Sequence, residues 1–262
     1  MKVNSVASSK YRLFNNTITL ESVDSTNNYI RRQIVDCDPA IRNGSVIIAR
    51  NQTNGRGRKE RSWYSGKNMS LTFSFLIDIT AKKQSEITTI TLAAGVAVAE
   101  AMTQFGLDCR VKWPNDIYVG NKKLCGILSE TAYLNGKICA ICGIGINVNL
   151  DNQALNGIDS PATSIYAETT KKHKPDDILP VILESLDRWL TIWFQQPTSA
   201  IVNQWMKIAY GLGRGLEVVE SDKKVDEGFF VGLGENGQFL LRKLDGTIRE
   251  IWVGDIIWEK ES

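Results

Sequence analysis

The sequence is organised around one glycine-rich run, Asn54-Gly55-Arg56-Gly57-Arg58-Lys59-Glu60-Arg61-Ser62-Trp63. Four basic residues against Glu60 give this run a net charge of +3, and an indole ends it. Glycine lets the main chain approach a ligand closely, and arginine grips phosphate or carboxylate with two parallel hydrogen bonds. The run is therefore typical of a loop that closes over an anion. A solvated hairpin tip and a weak nucleic-acid patch have the same composition and remain alternatives on this pattern alone.

The chain around this run has the composition of an ordinary globular protein. Its 262 residues are 43% apolar and 23% charged, which predicts one large domain, or a large domain with a small partner. The formal net charge of +2 is too close to neutral to indicate wholesale nucleic-acid binding. The sequence has neither a secretory signal pattern nor a run of 18 apolar residues, so we expect a cytoplasmic location and no membrane insertion.

The cysteines and the single histidine argue against several kinds of chemistry. Five scattered cysteines, an odd number, fit a reducing compartment better than a disulfide framework. Cys139 and Cys142 lie in a strand-like apolar run, where residues three apart face opposite sides, and no second pair completes a zinc site. His173 lies in a basic turn, which argues against Ser-His-Asp or Cys-His catalysis. Chemistry must then rest on cations, amides and a bound nucleotide with its own metal.

Local patterns predict the elements on both sides of the run. Apolar segments at 11–21 and 45–50 read as strands, and a helix is predicted to begin at Asp24, where Ser25-Thr26-Asn27 could serve simply as its cap. After the run, Met69, Leu71, Phe73 and Phe75 alternate with Ser and Thr, which predicts a strand. Residues 85–105 have helical spacing and end at Gly106.

Residues 110–150 are expected to form a three-stranded meander. Gly120-Asn121 and Asn135-Gly136 are hairpin turn signals, and the second favours a type I′ turn. Glycines 126, 143 and 145 interrupt the strands, as at bulges or where a ligand approaches the backbone. The sequence has neither a dinucleotide fingerprint nor a Walker A motif.

The C-terminal part is predicted to hold two helices and a small β-structure. One helix runs from Asp176, with Pro180 tolerable in its first turn, and another follows Pro197. Glycines in 211–215 form a joint, beyond which short strands indicate a β-barrel of about 50 residues. We therefore predict domains at 1–212 and 213–262. The fold class is α/β (α+β), with a mixed, mainly antiparallel sheet and helices packed on one face.

Three motifs in this order carry a family resemblance: Gly55 to Trp63, Lys112-Trp113-Pro114-Asn115-Asp116, and Lys123-Leu124-Cys125-Gly126-Ile127-Leu128-Ser129-Glu130. Together they resemble the biotin protein ligases. The likeness extends from Ser25-Thr26-Asn27 through Gly143-Ile-Gly145-Ile-Asn147 to the C-terminal region, which it implies is an SH3-like barrel. Each motif is moderately specific, and the ordered set is highly specific. The short segment before the first strand implies a monofunctional member without an N-terminal DNA-binding domain.

The resemblance implies ATP-dependent attachment of biotin to a lysine of a biotin carboxyl carrier domain in a biotin-dependent carboxylase. Biotin's carboxylate attacks the α-phosphorus of ATP, and the carrier amine then attacks the biotinyl-5′-adenylate. The implied cofactors are ATP and the Mg²⁺ that accompanies it, and the implied assembly is a monomer or homodimer that binds neither DNA nor membrane. Both steps need positioning and charge neutralisation rather than a protein nucleophile.

The resemblance also implies roles for individual residues. The biotin-binding set is Ser25, Thr26, Asn27, Gln52, Gly55, Arg56, Gly57, Arg58, Lys123, Gly126 and Gly143. The ATP-binding set is Arg58, Arg61, Trp63, Asn115 and Asn147, with Trp63 facing adenine. Lys123 and Arg58 are the catalytic candidates. No dedicated metal site is implied, and Asp116 is a weak candidate for a water-mediated Mg²⁺ contact.

The loop departs from the family pattern at Lys59-Glu60, where Arg-Gly is more usual. Lysine cannot make the two parallel hydrogen bonds that an arginine makes to a phosphate or carboxylate. Glu60 takes the place of a glycine and lowers the net positive charge of the loop by one. Because like charges cluster in it, we expect the loop at 54–66 to be mobile without ligand and to order as a lid over biotin and ATP.

Two alternative functions remain: a lipoate-type ligase, and a non-catalytic nucleotide-binding or RNA-binding module.

Overall fold

The computed structural model describes residues 4–7, 10–67, 69–158, 160–220 and 223–258. Ten strands come first: β1 Asn4–Ala7, β2 Asn16–Leu20, β3 Ser45–Ala49, β4 Gly55–Arg56, β5 Ser62–Trp63, β6 Ser70–Asp78, β7 Cys109–Lys112, β8 Asp116–Val119, β9 Lys122–Leu134 and β10 Lys137–Asn147. Eight of them form the main sheet in the order β1-β2-β3-β6-β10-β9-β8-β7. Among these described strands β2 and β3 pair in parallel, and the other neighbours are antiparallel. The predicted mixed, mainly antiparallel sheet is confirmed.

The helices are α1 Thr26–Val35, α2 Ile90–Thr103, α3 Asn152–Asn156, α4 Ile165–Thr169, α5 Pro175–Gln195 and α6 Thr198–Lys207. Gly106 adopts the left-handed conformation, with φ of 79°, shortly after α2, as predicted. Pro180 is the sixth residue of α5, so the expectation that it needs the first turn is wrong. Proline has no N–H, so one helical carbonyl lacks its hydrogen-bond donor. The helix tolerates this loss because it has 21 residues and its apolar face is buried.

The long helices α2, α5 and α6 share the larger apolar core with one face of the sheet. Gln84–Thr103, which comprises a 3₁₀ turn and α2, has a mean hydropathy of 1.2 and is long and apolar enough by composition to cross a membrane. It lies against both α5 and α6, and 67% of that segment is buried inside the protein. Its apolar composition is thus that of a central core helix.

Helix α1 lies on the opposite face of the sheet, so the expectation that the helices share one face holds only for the long ones. The reason is that the apolar stripe of α1, Tyr29 and Ile30, belongs to a second core cluster with Leu20, Ile47 and Ile141. The two cysteines that the sequence predicts on opposite sides of a strand are also separated between the two core clusters. Cys139 belongs to this second cluster and Cys142 to the first, which confirms that they face opposite sides of β10.

The meander at 110–150 has four strands rather than the expected three. The segment predicted as its first strand is two strands, β7 and β8, which pair antiparallel across a turn at Trp113-Pro114, where proline has no N–H for the ladder. The turn between β9 and β10 has φ of 51° at Asn135 and 76° at Gly136. Both residues have positive φ, as a type I′ turn requires.

The C-terminal region is a five-stranded antiparallel sheet. Its strands are β11 Gly215–Glu220, β12 Lys223–Leu233, β13 Phe239–Arg242, β14 Ile248–Ile251 and β15 Asp255–Trp258, in the order β14-β13-β12-β11-β15. The sheet packs directly on the larger unit: Trp113 Nε1 donates to the carbonyl of Gly237 at 3.1 Å, and the rings of Trp205 and Phe230 meet edge to face at 6.4 Å. One apolar core therefore runs through both predicted domains.

Candidate active site

A cavity of about 720 Å³ opens between the glycine-rich loop, strands β8 to β10 and the start of β15. This volume lies within the range of small-molecule sites. Fourteen residues that the sequence singled out line it together: Ser25, Thr26, Asn27, Gln52, Arg56, Gly57, Arg58, Arg61, Trp63, Asn115, Asp116, Lys123, Gly126 and Gly143. The fold therefore brings motifs from separate parts of the chain to one place.

One end of the cavity is neutral and polar. Thr26 N–H donates to Gln52 Oε1 at 2.8 Å, and the Thr26 and Ser74 hydroxyls lie 2.6 Å apart. Ser74 in turn donates to Asn27 Oδ1 at 2.6 Å, while Asn27 Nδ2 donates to Glu130 Oε2 at 2.8 Å. Because Thr26 and Asn27 are almost fully buried, this network fixes their orientation before any ligand arrives.

Simple capping does not explain the polar residues at the start of α1. Ser25 occupies the N-cap position, but its side chain makes no cap hydrogen bond. The side chains of Thr26 and Asn27 bond to Gln52, Ser74 and Glu130, which lie 26 or more positions away in sequence, rather than to the first turn of the helix. These side chains are therefore committed to the cavity wall.

The floor of the cavity depends on two glycines of β10. A Cβ at Gly143 would lie 2.4 Å from Asn27 Oδ1, and one at Gly145 would lie 2.4 Å from the indole of Trp63. Both distances are shorter than any carbon contact allows. The groups that approach these glycines closely are the protein's own Asn27 and Trp63, and the pairing of β10 is regular at both positions rather than bulged. The approach of a ligand to this backbone stays a prediction.

Lys123 lies where the β8–β9 pairing slips by one residue. Ile117 pairs with Cys125 and Tyr118 with Lys123, so a bulge falls at Leu124, a device that re-aims neighbouring side chains. Lys123 Nζ lies 2.7 Å from Asp116 Oδ1 and 5.7 Å from the centroid of the Trp63 ring. The ammonium is thus held inside the cavity, beside an aromatic face.

A short strap, Pro161–Thr163, braces the backbone of Lys123. Lys123 N–H donates to the carbonyl of Pro161 at 2.9 Å, and Thr163 N–H donates to the carbonyl of Lys123 at 2.9 Å. Asn147 Nδ2 donates to the carbonyl of Thr163 at 2.9 Å and is buried. Asn147 does not line the cavity, so the structure places this predicted nucleotide contact one layer behind Lys123.

The cations of the glycine-rich loop have protein partners. Arg56 Nη1 lies 2.8 Å from Asn28 Oδ1 and 3.3 Å from Glu130 Oε1. Arg58 Nη1 lies 3.5 Å from Asn115 Oδ1, and burial lowers the pKa of this guanidinium.

Lys59 and Arg61 share a third partner, the carboxylate of Asp255 at the start of β15. Carboxylates of the protein therefore compensate the charges of Arg56, Lys59 and Arg61 in this structure. The expected mobility of the loop without ligand stays a prediction.

The loop backbone forms the small hairpin β4–β5, closed by a turn at Arg58–Glu60. Lys59 and Glu60 have φ of 52° and 60°, the left-handed region that favours glycine. These are the two positions at which the sequence departs from the family pattern. Gly55 does not line the cavity: a Cβ there would lie 2.5 Å from the carbonyl of Trp63, so this glycine serves the pairing of the hairpin.

Several lining residues were not singled out as site residues from the sequence, notably Lys112, Tyr118, Gly145, Asp255 and Ile256. Lys112 Nζ lies 3.2 Å from the Tyr118 hydroxyl, and burial lowers the pKa of Lys112 and raises that of Tyr118. Lys112 belongs to a recognised motif and was within reach of sequence reasoning. Asp255 belongs to none of the three motifs, so nothing in the local sequence indicated that it lies at the site.

Asp116 is the residue that the sequence analysis proposed for a water-mediated contact to Mg²⁺. Within the described ranges, no group of three or more His, Cys, Asp or Glu side chains is arranged to hold a metal ion. Asp116 is paired with Lys123. This donor set fits a single water-mediated contact to Mg²⁺ carried by a nucleotide, since magnesium commonly keeps several of its waters.

Comparison with known proteins agrees with this geometry. Residues 19–147 match the Biotin/lipoate A/B protein ligase family model. The chain is 26% identical over 233 residues to the biotin–[acetyl-CoA-carboxylase] ligase of Paracoccus denitrificans, covering 85% of this chain and 92% of that protein. It is 28% identical over 239 residues to the bifunctional ligase/repressor BirA of Escherichia coli, covering 90% of this chain and 71% of that protein.

The fold is also similar to that of a solved structure, the biotin protein ligase of Aquifex aeolicus in complex with biotin and ATP. The TM-score is 0.77 at 28% identity, and the match covers 94% of this chain and 99% of that chain. The likeness extends over both the main sheet and the C-terminal sheet.

Proposed function

We propose that this chain belongs to the Biotin/lipoate A/B protein ligase family, whose model residues 19–147 match, and that it is an ATP-dependent biotin protein ligase. It activates biotin as biotinyl-5′-AMP and transfers the biotinyl group to a specific lysine of a biotin carboxyl carrier domain. The homologues named biotin–[acetyl-CoA-carboxylase] ligase and the related structure with biotin and ATP support this function.

The observation that carries the proposal is the polarity of the cavity. Its neutral end has Thr26, Asn27 and Gln52 in a buried hydrogen-bonded network. Its cationic end has Arg58, Arg61 and Lys123. Biotin has a neutral ureido ring at one end and a carboxylate at the other, and buried ureido groups need hydrogen-bond partners. A substrate of this shape fits with its ring at the amides and its carboxylate toward the cations.

In the first step a carboxylate oxygen of biotin forms a bond to the α-phosphorus of ATP, and the bond from that phosphorus to the bridging oxygen breaks. Pyrophosphate leaves. Mg²⁺ bound to the nucleotide would neutralise charge on the phosphates, and Asp116 is the residue that would contact it through water. Lys123 neutralises the two anions that must meet, and Arg58 and Arg61 hold phosphate oxygens. Trp63 offers its face to adenine, and Asn115 contacts phosphate or ribose. Such fixed charges act most strongly in a site from which water is excluded.

In the second step the neutral amine of the carrier lysine attacks the acyl carbon of the mixed anhydride. The carbon–nitrogen bond forms, the bond from the acyl carbon to the oxygen of AMP breaks so that AMP leaves as an anion, and the proton of the amine passes to water. No residue of this chain forms a covalent intermediate, so positioning supplies the rate enhancement. We propose that the acceptor is the carrier domain of a cytoplasmic biotin-dependent carboxylase.

The function is tested by incubating the protein with labelled biotin and a carrier domain, with and without Mg·ATP. We expect ATP-dependent label on the carrier and one pyrophosphate released per biotin activated. Lipoate replaces biotin in a parallel reaction. Label from lipoate but not from biotin would assign the chain to the lipoate branch of the family, and no label from either would refute ligase activity.

A further inference from the structure

We infer that Asp255 competes with nucleotide phosphate for Lys59 and Arg61 and thereby sets the affinity for ATP. The inference rests on the proposed function, because it concerns the phosphate end of the same cavity. It adds a residue of the C-terminal sheet to the groups that decide nucleotide binding.

The contacts of Asp255 are the first argument. Its Oδ2 lies 3.2 Å from Lys59 Nζ and 2.5 Å from Arg61 Nη2. Both cations belong to the loop, 194 or more positions away in sequence. One carboxylate oxygen therefore bridges two loop cations, as a phosphate oxygen would.

The position of Asp255 is the second argument. Asp255 lines the cavity together with Arg58 and Arg61, and its side chain is 21% exposed. Burial by itself would raise the pKa of Asp255, but Lys59, Arg61 and Arg58 together hold it below its ordinary value. The group is thus an anion at neutral pH, located where phosphate oxygens are expected.

Asp255 and a nucleotide phosphate would compete for the same donors. Arg61 cannot direct the same N–H to Asp255 and to a phosphate, and a carboxylate left beside phosphate oxygens repels them. ATP must therefore exchange with Asp255 at Lys59 and Arg61. The pairing keeps the loop cations in place before ATP arrives, and it lowers the affinity for ATP.

The experiment measures binding of α,β-methylene-ATP, which cannot be cleaved at the reacting bond, to biotin-saturated protein by calorimetry. Asp255→Asn keeps the shape of the side chain and removes its charge. Two partly exposed ion pairs are worth about 1 kcal/mol together, so we expect the Kd of the analogue to fall about fivefold. Binding of adenosine, which has no phosphate, should not change.

Glu217→Gln is the matched control. Glu217 lies in β11, the neighbour of β15, pairs with Lys224 at 2.8 Å and is absent from the cavity lining. This variant removes one negative charge from the same sheet and should bind the analogue like the wild type. In a Lys59→Gln background the effect of Asp255→Asn should shrink, because one of the released cations is gone.

The outcomes separate the two proposals. Unchanged or weaker binding of the analogue by a folded Asp255→Asn protein, while the wild type binds it, would overturn the role of Asp255 and leave the ligase intact. Asp255→Ser provides a second variant with the same expected direction. A wild type that binds neither the analogue nor biotin would overturn the proposed function itself.

Discussion

The ammonium of Lys123 lies 2.7 Å from the carboxylate of Asp116, inside the cavity and with both side chains at most 25% exposed. The two residues are seven positions apart and face each other across the β8–β9 hairpin, whose bulge falls at Leu124. The pair fixes the ammonium of Lys123 inside the cavity, where the proposed reaction would bring a carboxylate and a phosphate together.

Lys123→Ala should lower adenylate formation far more than it weakens biotin binding. The ammonium acts where carboxylate and phosphate meet, and loss of such a preorganised group costs about 10²–10³-fold in rate. The measurement is pyrophosphate release beside calorimetric titration of biotin. Lys122→Ala, a change at the exposed neighbouring residue, is the control. Release near the wild-type rate would remove Lys123 from the reaction.

Arg58→Gly should still make adenylate but release it into solution. Arg58 is half-buried against Asn115, and its loss removes a phosphate clamp while adding backbone freedom to the loop. We expect the variant to label lysines of a bystander protein. The test incubates wild type and variant with ATP, biotin and serum albumin and then probes the albumin for biotin. Equal labelling by the two proteins would contradict a closing role for the loop.

Gly143→Ala and Gly145→Ala should separate the two substrates. A Cβ at 143 displaces Asn27 and one at 145 displaces Trp63. The first variant should lose mainly biotin affinity. The second should lose ATP affinity by about tenfold, since a base–aromatic stack is worth about 1–3 kcal/mol. Both affinities are measured by calorimetry.

Gly95→Ala is the control for this pair, because its Cβ meets Val111 at an ordinary 3.6 Å. It should leave both affinities unchanged. If the 143 and 145 variants lost the two affinities in the opposite order, the assignment of the two cavity ends would be reversed.

Glu60→Gly should leave the protein at least as stable as the wild type. Glu60 has φ of 60°, a conformation that costs a non-glycine residue about 1–2 kcal/mol and that glycine adopts freely. Glu60→Val should be less stable than both, since a β-branched residue fits this region poorly. Thermal unfolding of the three proteins gives the order. A clear loss of stability in the glycine variant would mean that contacts of Glu60 outweigh the strain.

Much of the architecture was predictable because it depends on residues two to four positions apart. The alternation of Phe73 and Phe75 with Ser74 identified β6, helical spacing identified α2, and Asn135-Gly136 identified the β9–β10 turn. The cavity residues Thr26, Asn27, Gln52 and Lys123 were also predictable. The family resemblance, not periodicity, supplied these.

The sequence by itself determined most of the types of element, the charge of the loop and the family resemblance, because short-range sterics and motif composition are local properties. Only the tertiary structure decided that α1 lies opposite the long helices, that Asn147 supports the strap behind Lys123 rather than the cavity, and that Asp255 pairs with Lys59 and Arg61. Such contacts join residues up to 196 positions apart. They depend on which faces of the sheets are buried together, and no local pattern encodes that.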